Sequence, residues 1–140
     1  MESSKQFGQY KEVQISTAPR GKLILILYQG AIKALKKSLA LIEKNDFEGK
    51  GNQLIKAQDI ILELNLALDM EAGEIPQSLR QLYLYVYRRL LDANLNVDKE
   101  AVNEAIQILE TLYEAWEVAI QQVEGNIQGN VTTSSFSIEG

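Results

Sequence analysis

Apolar residues recur along this chain at alternating steps of three and four, the spacing that gathers side chains onto one face of an α-helix. In 99–123 the stripe is Val102, Ala105, Leu109, Leu112, Trp116, Ala119 and Val123. In 47–70 it is Leu54, Ala57, Ile61, Leu64 and Leu68; in 76–95, Leu79, Leu82, Val86, Leu90 and Ala93; in 19–44, Ile24, Tyr28, Ala31, Leu35, Ser38 and Ile42. These stretches predict four helices with one apolar seam each. Seams of this kind joined by short connections predict an all-α fold, an antiparallel four-helix bundle with nearly parallel axes.

Local signals place the ends. Thr17 or Ala18 caps the first helix and Pro19 sits in its first turn, where a missing N–H costs nothing. That helix stops near Asn45-Asp46. Gly73 is free to take the left-handed conformation at the end of the second helix, and Pro76 then begins the third. Asp98 is the expected N-cap of the fourth, Glu100 favours the positive end of its dipole, and Gly125 marks the exit. The chain divides into an N-terminal arm (1–16), a bundle domain (17–124) and a tail (125–140). The arm is polar apart from Phe7, Tyr10, Val13 and Ile15. The tail is rich in Gly, Asn, Ser and Thr, and its composition predicts disorder.

Two helices carry more apolar surface than a bundle uses. On helix two, Ile55, Leu62 and Leu66 share a flank beside the core stripe, bordered by Gln58 and Asn65. On helix three, Tyr83, Tyr87 and Asn94 share a flank, with Leu91 near its edge. Tyrosine suits a face that is covered only when a partner is present, because the ring offers contact area while the hydroxyl tolerates water. A groove between these flanks would accept an amphipathic helix. The plainer reading is that neighbouring helices or the N-terminal arm cover the flanks permanently.

Composition narrows the chemistry. The chain has 140 residues, enough for one domain with a real core, and 46% of them are hydrophobic. It contains no Cys and no His, which removes thiolate chemistry, disulfides, and the commonest general base and transition-metal ligand. No catalytic residues and no cofactor are therefore expected. Glu110, Glu114 and Glu117 share a helix face and are read as solvated, since metal sites built on Glu-x-x-His have no His here. A carboxylate-metal enzyme stands as the alternative of a different class. The net charge of −5 argues against binding nucleic acid, and Lys33, Lys36 and Lys37 are read as one solvated helix face. The start of the chain lacks the pattern of a secretory signal, and the longest apolar run, Leu23 to Tyr28, falls far short of the ~20 residues that span a bilayer. A soluble, cytoplasmic protein without membrane insertion is expected, with a monomer favoured.

Particular residues go further than pattern. Thr17-Ala18-Pro19 followed by Leu23-Ile24-Leu25-Ile26-Leu27-Tyr28-Gln29-Gly30-Ala31 resembles the opening of the flagellar secretion chaperone family, FliS. The resemblance continues through Ile55-Lys56-Ala57-Gln58-Asp59-Ile60-Ile61, Glu63-Leu64, Leu82-Tyr83-Leu84-Tyr85, Arg88-Arg89-Leu90, Ala93-Asn94 and Ala115-Trp116. It covers about residues 10 to 121 and stops near Gln122. It implies a bundle that holds the disordered C-terminal segment of flagellin before export, with the export machinery as a further partner. The family's N-terminal arm, including a Tyr matched here by Tyr10, is associated with the same surface. The partner-binding residues expected from pattern and resemblance together are Tyr10, Ile55, Gln58, Leu62, Leu66, Tyr83, Tyr87 and Asn94. A helical adaptor binding a folded regulator is the alternative within the binding class.

Overall fold

The computed structural model describes the backbone from residue 20 to residue 136 and the side chains from 20 to 123. Four helices follow one another: α1 (Arg20–Glu43), α2 (Phe47–Leu66), α3 (Glu74–Asn96) and α4 (Lys99–Phe136). Each packs on the helices before and after it, α4 closes the ring against α1, and among the described residues the diagonal pairs do not approach through their backbones. This is the predicted four-helix bundle.

The connections are short because the caps are local. Asp46 accepts a hydrogen bond from the N–H of Gly49 at 2.9 Å, starting α2 only three residues after α1 has ended. Asp98 does the same for Ala101 at 3.2 Å, so α4 starts almost directly after α3. Asn45 and Val97 turn the chain with φ of 58° and 53°. Asn tolerates that conformation, whereas in a β-branched residue it is an outlier.

Three boundaries differ from the sequence reading. α2 ends at Leu66, not near 70, and the chain reaches α3 through a seven-residue turn from 67 to 73. Gly73 does adopt positive φ, 107°, but as the cap before α3 and not as the terminus of α2. Pro76 is the third residue of α3, still within the first turn where no N–H is required. α4 runs past the predicted exit at Gly125 to Phe136, since a lone glycine permits a helix to stop without compelling it.

The core holds Leu35 of α1, Leu54 and Ile61 of α2, Val86 and Leu90 of α3, and Val102 and Leu109 of α4. Burying each contributes roughly 1.5–3 kcal/mol. At one end, Gly21 lies so close to Ile120 that a Cβ there would meet its side chain at 2.7 Å. The predicted α4 stripe is accordingly buried through Leu109, half-buried at Leu112 and Trp116, and exposed at Ala119 and Val123.

Candidate partner-binding groove

Ile55, Leu62 and Leu66 lie seven and four residues apart, so α2 carries them on one flank, 50, 38 and 83% exposed. The flank looks toward α3. Gln58, just inside it, donates to the backbone carbonyl of Tyr87 at 3.2 Å, and Lys50 donates to the carbonyl of Asn94 at 2.9 Å. The carbonyl of Asn94 belongs to the last turn of α3, which has no partner of its own, so the Lys50 ammonium caps that helix from its neighbour. Between these bonds Gly51 has no side chain, and a Cβ there would sit 3.5 Å from Oδ1 of Asn94. The two helices approach closely along this line, and the bonds form a polar floor beneath an apolar rim.

The opposite rim is Leu91 and Leu95, both exposed, with Tyr87 half-buried against the core. Phe47, half exposed, extends the α2 rim at its start, with the Lys50 ammonium 5.9 Å from its ring centre. Phe47 and Leu95 are absent from the sequence-based expectation. Their only signal was being large and apolar beside a turn, and a turn gives no face to assign.

Two expected contact residues are placed otherwise. Tyr83 does not stand on the flank: it is 1% exposed in the core, its hydroxyl 2.5 Å from that of Tyr28. A one-helix projection cannot show that α1 and α4 supply polar partners inside, where the indole N–H of Trp116 also donates to the Tyr28 hydroxyl at 3.1 Å. Burial pushes the Tyr28 phenol far above its usual value, with the bond to Tyr83 adding to it, and burial raises Tyr83 as well. Gln58 is 6% exposed and forms the floor, one of its amide N–H groups bonded to the Tyr87 carbonyl. Asn94 is half-buried beside Gly51. Asn65, the other bordering residue, has a buried Oδ1 without a hydrogen-bond partner among the described residues. Tyr10 lies outside the described residues.

Among the described residues, the polar groups of the groove serve helix packing and its exposed rim groups are hydrocarbon. It can remove apolar surface of a partner from water, and each rim residue, being already partly covered, contributes only a share of the roughly 1.5–3 kcal/mol that full burial of an exposed side chain gives, before the costs of ordering the partner. Elsewhere, Glu110, Glu114 and Glu117 line a cleft of about 400 Å³ with Gln29, Ile32 and Tyr113. No group of three or more acidic residues is placed to hold a metal ion among the described residues. No described helix is long and apolar enough to cross a membrane.

Comparison with known proteins agrees in extent with this architecture. The profile of the family described as "Flagellar protein FliS" matches residues 3–123. The chain is 36% identical over 121 residues to the flagellar secretion chaperone FliS of Bacillus subtilis (strain 168), covering 86% of this chain and 90% of that protein. It is 40% identical over 107 residues to the protein of the same name from Salmonella typhimurium, covering 75% and 79%. With the Escherichia coli (strain K12) protein of that name it shares 35% over 111 residues, covering 78% and 82%.

Proposed function

Because the chain belongs to the FliS family of flagellar proteins, we propose that it is a flagellar secretion chaperone whose α2–α3 groove holds the C-terminal segment of flagellin in the cytoplasm until export. The observation that carries this reading is the groove itself. An apolar rim of Phe47, Ile55, Leu62, Leu66, Leu91 and Leu95 stays in water above a floor whose polar groups are bonded to the opposite helix. Such a surface suits a segment that is disordered when free and gains an apolar helical face as it docks.

Binding is then coupled to folding. Apolar burial drives it, and ordering the client costs several kcal/mol of the gross gain, which keeps the complex reversible for hand-over to the export machinery. Masking one terminus of the client blocks assembly with neighbouring subunits, and this needs no catalytic group. Tyr87 and Asn94 border the groove, while Tyr10 joins the site on the family resemblance alone.

The deciding experiment is co-purification with the host's flagellin, with and without the last few tens of its residues. Capture of the full client and not the truncated one is expected, accompanied by a gain in helicity on mixing. Equal capture of both would move the contact away from that segment. Binding without added helicity would point to a partner surface already folded.

A further inference from the structure

Lys50 is the one charged side chain that is buried among the described residues, 4% exposed, and it stands at the end of the α2–α3 groove where α2 begins and α3 finishes. The other buried polar side chains, Ser38 and Gln58, are neutral, and each donates to a backbone carbonyl. An ammonium brings three N–H groups and a full charge. One N–H reaches the carbonyl of Asn94 at 2.9 Å; the other two have no acceptor among the described residues.

The charge is as poorly met as the donors. Asp46 is engaged in capping Gly49 and Asp92 lies beside Arg89, while Lys50 makes no ion pair among the described residues. The C-terminal end of α3 carries about half a negative charge, which offsets the ammonium only in part. The Phe47 ring, 5.9 Å away at its centre, adds a weak attraction. Capping α3 does not require this charge, because the neutral amide of Gln58 makes the same kind of bond to the same helix. Burying an unpaired charge is costly, and an opposite charge within bonding distance relieves that cost.

We propose that Lys50 anchors a carboxylate of the bound client segment at this end of the groove, an inference that rests on the α2–α3 groove being the client site. The cation has already lost most of its water on folding and is held in place by Asn94, so it pairs with less further desolvation than an exposed lysine would. A carboxylate accepting from its free N–H groups makes a charge-assisted bond, shorter and stronger than one between neutral groups. Such a pair also sets register. Along a rim of hydrocarbon such as Phe47, Ile55 and Leu62, or Leu91 and Leu95, a helix slides by one turn with little change in buried area, whereas one charge pair selects a single position. A C-terminal segment offers this chemistry from two sources, its chain-end carboxylate and its acidic side chains.

The test is calorimetry of the full chain with a synthetic peptide of the host flagellin's C-terminal segment, in three forms. One is native, one is amidated at its C-terminus, and a set has its Asp and Glu residues replaced singly by Asn and Gln. One neutralisation should weaken binding about tenfold or more and so name the source. Against Lys50→Met, which keeps the apolar stem and removes the ammonium, that same neutralisation should make no difference. Lys56→Met, exposed on α2, should leave its effect intact. If Lys50→Met does not fold, the side-chain nitrogen resonance of Lys50 in the unaltered chain answers instead: it should shift with the native peptide and not with the neutralised one. Neutralisations without effect, in a chain where Leu62→Asp still weakens binding, overturn the anchor and leave the groove standing. A neutralisation equally harmful against Lys50→Met puts its carboxylate elsewhere and also overturns the anchor. A native peptide that does not bind the unaltered chain overturns the groove and the anchor together.

Discussion

The hydroxyls of Tyr28 and Tyr83 meet at 2.5 Å inside the bundle, joining α1 to α3, the diagonal pair whose backbones never approach. Trp116 of α4 donates to the same Tyr28 oxygen, so three helices are tied at one buried point. The rings of the two tyrosines are tilted by 53° with centroids 6.4 Å apart, a spacing within the range of favourable aromatic pairs.

Truncating this point should show which hydroxyl matters more. Tyr28→Phe leaves both the Tyr83 hydroxyl and the Trp116 indole N–H without their partner, and should destabilise the protein by about 2–4 kcal/mol. Tyr83→Phe leaves only the Tyr28 hydroxyl without one partner, its bond from Trp116 being kept, and should cost about 1–2 kcal/mol. The double variant should cost less than the sum, because each change removes the other's unmet group. Urea titration followed by Trp116 fluorescence measures all three. Strict additivity would mean the bond contributes nothing.

The same pair sets the alkaline limit. Folded-state values raised above the ordinary phenol value of 10.0 mean that the unfolded chain releases these protons first as pH climbs. Stability from the pair is fully present below about pH 10 and falls as the pH rises beyond it. Thermal melts at stepped pH should show a flat plateau and then a decline above about pH 10, and the Tyr28→Phe/Tyr83→Phe variant should lose most of that slope.

Leu62 and Leu64 separate groove from core. Leu64→Asp buries an unpaired charge at a site 2% exposed and should unfold the bundle, at a cost of about 4 kcal/mol or more. Leu62→Asp, on the exposed rim, should change the melting of the free protein little while weakening client binding by about tenfold or more. Calorimetry against the flagellin C-terminal segment, beside circular dichroism of the free variants, reads both effects. If Leu62→Asp left binding intact, the α2 flank would not be the docking surface.

Val97 closes α3 in the left-handed conformation, which a β-branched side chain adopts at a cost of roughly 1–2 kcal/mol. Replacing it by Asn or Gly should raise stability by about 0.5–1 kcal/mol, visible as a melting temperature a few degrees higher. A lower melting temperature in both variants would show that the half-exposed valine contributes packing that outweighs the strain.

What the sequence determined by itself is what depends on neighbours a few residues away. The helix count, the cap at Asp98, and the stripe of Leu54, Ala57, Ile61 and Leu64 follow from helical spacing and side-chain capping chemistry, which act within one or two turns. Two of the three members of the α2 flank are half exposed and the third more so, as periodicity predicts for apolar residues that fall outside a seam. Tertiary structure decided everything that depends on which side chain stands opposite. Tyr83 went inside because the Tyr28 hydroxyl, itself held by the Trp116 indole, offers it a polar partner from another helix. Gln58 became floor because a carbonyl of α3 lies within reach. Periodicity says which face of a helix is apolar; only the assembled bundle says how much of that face another helix covers.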